Sequence, residues 1–198
     1  MNWQTMARML EATDQMIPTQ QIAMISRSLD NFYPYKGLVL SILDKDTLQA
    51  NNLGLAKAKK WMAKIFDVFD DEIDGLMAAH EDLGEAVYNL DVSAETEIDA
   101  GILSVKRALE SDCGKIDSDA FRVVETLIEN MSANERRWFV RYLLRTPRNG
   151  INQGTVAKII AKHYGKKQAI VKKHLNFNSI EVVCSHYDNR TEPPCNLT

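Results

Sequence analysis

The chain has 198 residues, is 45% hydrophobic and carries a formal net charge of −3. That length and apolar content suffice to bury a core in one domain or in two tightly joined helical lobes. The absence of any run of about 18 apolar residues and of a basic-then-apolar leader argues against a membrane span or secretion, and three scattered cysteines argue against a disulfide framework, so a soluble intracellular protein is expected.

Apolar residues recur at helical spacing almost throughout, so the expected fold class is all-α. Residues 1–15 place Trp3, Met6, Met9 and Leu10 on one face, and Pro18 stands where a second helix begins, with Ile22, Ile25 and Leu29 inside. The aromatic turn Phe32-Tyr33-Pro34-Tyr35-Lys36-Gly37 leads into a helix over 38–43. The break Asn51-Asn52-Leu53-Gly54 precedes helices over 55–69 and 70–80. Glu81-Asp82-Leu83-Gly84 separates the latter from a helix over 85–90. Further helices are expected over 94–109 behind Ser93, and over 121–131 behind Asp117 or Ser118. Ser132-Ala133-Asn134-Glu135 forms a capping box that launches a helix over 136–145. The proline and glycines of 146–154 interrupt it before helices over 155–164 and 168–175. The last stretch reads as a short strand over 180–183 and a polar, proline-bearing linker over 190–198.

Charge is distributed unevenly. Residues 136–175 contain eleven Lys and Arg and no acid, whereas residues 65–105 contain twelve acids and no Lys or Arg. The first segment can attract a polyanion; the second is solvated or faces a cationic partner. Within the basic segment, Gly150 and Gly154 flank a turn where backbone amides can approach a phosphate closely, and the following helix aims its first-turn N–H groups and positive dipole end at the same place. Arg145 and Arg148 precede this turn, Asn149 and Asn152 lie within it, Thr155 and Val156 follow, and Lys158 and Lys162 stand one helical turn apart. Such a set grips a sugar-phosphate backbone without reading bases. The competing reading is a solvated basic helix with an ordinary turn glycine. Trp61 and Trp138 read as core anchors. His80, His163 and His174 read as surface or capping residues, and Cys184, His186 and Cys195 form too sparse a set for zinc.

These residues resemble a known family. The stretch Asn134-Glu135-Arg136-Arg137-Trp138-Phe139-Val140-Arg141-Tyr142-Leu143-Leu144-Arg145, with Arg148-Asn149-Gly150-Ile151-Asn152-Gln153-Gly154-Thr155-Val156, resembles the signature of the N-terminal DNA-binding domain of archaeal, eukaryotic and viral ATP-dependent DNA ligases. Glu81-Asp82-Leu83-Gly84-Glu85-Ala86-Val87 resembles that domain's second motif, in which a glycine usually stands at the position of Glu81. The resemblance covers residues 1–175 and implies two similar helical lobes lying on the minor groove of nicked duplex DNA. It implies backbone contacts from Arg148, Gly150, Gly154, Thr155 and Val156, and from the related turn Leu83-Gly84-Glu85.

The adenylylation motif Lys-x-Asp-Gly is absent, so residues 176–198 are expected to lead toward a nucleotidyltransferase domain outside this chain. No cofactor is expected here; ATP and Mg2+ are implied for the whole enzyme, with nucleotidyltransferase and OB-fold domains as partners. The implied setting is DNA replication, repair and recombination, in the cytoplasm of a prokaryote or virus-infected cell or in a eukaryotic nucleus. Two other readings are a stand-alone architectural DNA-binding protein and a helical adaptor whose acidic segment docks a basic partner.

Overall fold

A computed structural model describes residues 2–44, 47–48, 51–90, 101–113 and 118–195. These residues form twelve α-helices, one 3-10 turn over Leu29–Phe32, and a single isolated antiparallel bridge between Asn2 and Gly101. In chain order the helices are α1 (Trp3–Thr13), α2 (Pro18–Ser28), α3 (Lys36–Leu43), α4 (Leu55–Phe66), α5 (Asp70–His80), α6 (Leu83–Tyr88), α7 (Ile102–Glu110), α8 (Asp119–Glu129), α9 (Ala133–Leu143), α10 (Gln153–His163), α11 (Gln168–Leu175) and α12 (Ile180–Asp188). The expected helical start at residue 94 falls outside the described residues, as does Asp117; Ser118 caps α8 by accepting the Phe121 amide at 3.2 Å.

The chain divides into two interleaved compact units, one comprising Met1–Glu11 and Gln49–Arg148, the other Ala12–Leu48 and Asn149–Thr198. In the first unit α9 is the central helix: every residue from Glu135 to Leu143 is buried. Its capping box forms as the sequence implies, with Ser132 N–H donating to Glu135 Oε2 at 3.0 Å. Trp3 donates from Nε1 to Glu135 O at 3.0 Å and meets Phe139 and Tyr142 edge-on, so residues far apart in sequence close one aromatic core. Trp61 packs edge-on to Phe121, and Trp138 is fully buried. The α4 helix stops at Phe66 rather than continuing to 69, because Asp67 turns left-handed and the Val68 amide bonds back to Ala63 O at 3.0 Å.

In the second unit α3 is buried at all eight positions and α12 packs on it. Gly37 makes this approach possible, since a Cβ there would stand 2.6 Å from Glu181 Cα. The run expected as a strand over 180–183 is therefore the start of a helix. Ser179 caps it by accepting the Val182 amide at 3.3 Å, and Ile180, Val183, Cys184 and Tyr187 are buried. The stretch expected as a linker from residue 176 thus contributes a structural helix through Asp188. A polar cage underlies it: Lys36 Nζ pairs with Asp30 at 2.9 Å and Asp188 at 3.0 Å, and lies 3.2 Å from His163 Nε2. Burial alone would lower the Lys36 pKa, but the hydrogen bonds it donates to Asp30 and Asp188 raise it above its ordinary value. His174, expected as a surface or capping residue, is buried with Nδ1 2.6 Å from the Tyr187 hydroxyl.

Candidate nucleic-acid interface

Each unit contains a helix N-terminus of the same design: an Asx residue as N-cap and a glycine two positions on. In the first unit the helix is α6, capped by Asp82, with Gly84 in its first turn. In the second it is α10, capped by Asn152, with Gly154 in its first turn. The two differ in which groups they leave open.

At α6, Asp82 Oδ1 accepts the Gly84 amide itself at 2.7 Å, and Oδ2 accepts from Arg141 Nε at 2.9 Å. Gly84 is buried with its Cα against α9, where a Cβ would lie 2.7 Å from Arg137 O and 2.8 Å from Arg141 Cγ. Leu83 is buried too, and Glu85 binds Arg137 at 3.2 Å and Arg141 at 2.6 Å. Arg137 also pairs with Glu11. This turn is thus knitted to α9 by ion pairs. Arg148 completes it, donating from Nη2 to Glu81 O at 2.7 Å with its Nε 3.5 Å from Asp82 Oδ2, while its side chain stays 55% exposed.

At α10, Asn152 Oδ1 accepts the Thr155 amide at 3.0 Å and the Thr155 hydroxyl at 3.3 Å, and Asn152 O accepts the Val156 amide. The amides of Gln153 and Gly154 have no acceptor among the described residues. A Cβ on Gly154 would meet only the side-chain oxygen Asn152 Oδ1, at 3.2 Å, and no backbone atom of another element. Lys158 and Lys162 are exposed and follow Gly154 at one-turn intervals along the helix. Gln153, Gly154 and Ala157 form one wall of a cleft of about 270 Å3, whose other wall is Lys172 and Leu175 of α11 and Asn176 at its C-terminal cap. Lys172 lay in the basic run, but only the packing of α11 on α10 places it opposite this N-terminus.

The turn before α10 is held in shape from within. Arg145, Arg148 and Gly150 adopt left-handed backbone with φ of 59°, 55° and 66°. Asn149 is buried, its Oδ1 accepting the Ile151 amide at 3.1 Å and its carbonyl accepting from Gln21 Nε2 at 2.9 Å. Val156 lies in the core, so of the residues expected to touch a phosphate, Asn149 and Val156 face inward, while Gly150, Asn152, Lys158 and Lys162 are exposed and Arg145, Gly154 and Thr155 are half-buried.

Burial also divides the eleven cations of the basic segment. Arg136, Arg137 and Arg141 are buried; Arg136 donates to Ile128 O at 3.0 Å and stacks over Phe66, and Arg137 and Arg141 hold the α6 carboxylates. Burial lowers the Arg136 pKa, and burial followed by the nearby Arg141 lowers that of Arg137. Of these eleven, the ones exposed in the second unit are Lys158, Lys162, Lys167, Lys172 and Lys173, with Lys166 paired to Glu192 at 2.7 Å.

Among the described residues no helix is long and apolar enough to cross a membrane, and no group of His, Cys, Asp or Glu is placed to hold a metal ion. The family model described as DNA ligase N terminus matches residues 4–161. No curated protein matches the chain.

Proposed function

Because this chain belongs to the DNA ligase N-terminal domain family, we propose that it binds the sugar-phosphate backbone of double-stranded DNA, nicked in the working enzyme, without reading base sequence. The observation that carries this reading is the start of α10. Two unsatisfied first-turn amides, a glycine whose missing side chain leaves only Asn152 Oδ1 close by and the positive end of the helix dipole coincide there, with Lys172 across the cleft and Lys158 and Lys162 one and two turns along the helix. A phosphate oxygen takes the place of the missing acceptor, and the lysines add affinity by releasing counterions. Nothing in this arrangement presents a rigid array of long side chains to base edges, which fits approach from the minor groove side through the backbone.

In this reading the α6 turn plays a different part. Its glycine serves close packing on α9, and its carboxylates hold Arg137, Arg141 and Arg148, so with Leu83 and Gly84 buried, contact with DNA falls to the exposed edge of the Arg148 guanidinium and to the half-buried Glu85. Arg145 serves at the rim.

The sequence Lys-x-Asp-Gly does not occur in these residues, so they offer no lysine in the setting that the family's adenylyl transfer requires. ATP, Mg2+ and the covalent chemistry are accordingly assigned to nucleotidyltransferase and OB-fold domains of the same enzyme, in replication, repair and recombination. The contribution of this chain is to hold the two DNA ends in register, where positioning alone supplies a large part of a rate enhancement.

The test is binding of the chain to a labelled duplex with one nick, and to intact duplex, over a salt series, with Gly154→Asp and Lys158→Glu alongside. Steeply salt-dependent binding that both variants weaken supports the reading. Binding that neither variant changes sinks it.

A further inference from the structure

Helix α5 packs on α6 and α4 and leaves its outer side in solvent. Ile73 is its single buried residue, and Asp70, Asp71, Glu72 and Asp74 all lie on the solvent side. With Asp67, residues 67–74 hold five carboxylates and no base; Asp74 pairs with Lys59 of α4. Phe69 stands in their midst, 83% exposed, the most exposed large apolar side chain among the described residues.

Phe69 serves the fold poorly at this position. It is the N-cap of α5, where Ser, Thr, Asp or Asn would satisfy an orphan amide, and its side chain makes no capping bond. It also leaves its ring in water, so the residue breaks two local rules with no gain inside this chain, which is the pattern expected of a functional position. The backbone that carries the ring is held in place. Only Asp67, Val68 and Phe69 separate α4 from α5; Asp67 is left-handed, and the Val68 amide is bonded to Ala63 O at 3.0 Å, so little order has to be gained on binding.

We propose that this face of α5 docks a basic protein segment outside this chain, one that offers an apolar cleft for the Phe69 ring and flanks it with Lys or Arg. Charge complementarity selects that occupant. Five carboxylates repel nucleic acid and anionic lipid, while a cation beside the ring gains both ion pairing and cation–π attraction. A central aromatic ringed by charge is the usual make-up of an interaction hot spot. The surface lies in the first unit and does not depend on the α10 grip.

The test uses the purified chain and a fluorescein-labelled amphipathic Lys/Leu peptide, with an equally charged Lys/Gly peptide as control, read by anisotropy. The Lys/Leu peptide binds more tightly. Phe69→Ala weakens it roughly tenfold, and Phe69→Leu recovers part of the loss. Asp70→Asn with Asp71→Asn lowers the affinity and flattens its salt dependence. Because the ring is exposed, Phe69→Ala leaves the thermal midpoint where it was, which separates docking from folding. Gly154→Asp leaves peptide binding intact whatever it does to DNA binding. Equal binding of the two peptides, or indifference to Phe69, overturns the proposal. Self-association by sedimentation that requires Phe69 also overturns it, by placing a second copy on this face.

Discussion

Gly84 and Gly154 occupy the same position in two similarly capped helices, yet replacing each by alanine has opposite consequences. At Gly84 the new methyl lies 2.7 Å from the Arg137 carbonyl oxygen, which is backbone of the central helix and cannot swing aside. Overpacking of this kind costs about 1–3 kcal/mol. At Gly154 the methyl meets only the Asn152 side-chain oxygen, at 3.2 Å, which can yield by a few tenths of an ångström. Against that, alanine restricts the unfolded chain and favours the helix by up to about 1 kcal/mol, so Gly154→Ala is neutral or slightly stabilising. The same methyl occupies the open side where a phosphate is proposed to sit. Losing a charge-assisted bond from a first-turn amide there is worth about 1.5–3 kcal/mol, a loss of affinity of roughly tenfold or more. Urea unfolding and duplex binding by anisotropy, on both variants, give the four numbers needed. Undiminished stability of Gly84→Ala would refute the packing argument. Undiminished DNA affinity of Gly154→Ala would refute the claim that the backbone approaches the phosphate there.

The remaining predictions concern charge and burial. Lys158→Gln and Lys162→Gln each reduce the slope of log affinity against log salt by about one, with little effect on stability, since both side chains are exposed. Arg141→Met leaves Asp82 without its buried partner and Glu85 with Arg137 alone, and costs about 3 kcal/mol in denaturant titration; a neutral result would contradict the assigned ion pairs. The Lys36 pKa is raised on folding, so its contribution is complete below its ordinary value near 10.5 and is lost as pH climbs through the higher folded value. Wild-type stability should accordingly fall more steeply at alkaline pH than that of Lys36→Met, measured as urea midpoints on either side of that value. Burial pushes the Cys113 thiol up to about 11 and the Cys184 thiol up to about 12, so iodoacetamide should label the partly exposed Cys195 first in the native chain, as peptide mass mapping would show.

Much of the architecture could be read from local signals. Pro18 opens α2 and the Ser132-to-Glu135 box opens α9, whereas α10, expected from Thr155, begins at Gln153 behind the Asn152 cap. What escaped were the features that depend on how elements pack. The Ile180-to-Val183 run looks like a strand because β-branched residues favour one, yet Ser179 caps a helix there and Gly37 opens the space that receives it. The buried arginines had a signal: Trp138, Phe139, Val140, Tyr142 and Leu143 cover more than one face of α9, so the helix is enclosed and its arginines must find carboxylates. Those carboxylates, Asp82 and Glu85, lie more than fifty residues away, and no local pattern joins them to α9. Lys172 is a similar case, since its place opposite the α10 N-terminus follows only from the packing of α11.

The central claim is that the start of α10 receives a phosphate, and titration of an isotope-labelled chain with a short nicked duplex addresses it by amide chemical shift. The account predicts that the Gln153 and Gly154 amides move most, downfield as a charged acceptor arrives, with smaller changes at Lys158, Lys162 and Lys172. The largest shifts falling elsewhere, with these two amides unmoved at saturation, would contradict it.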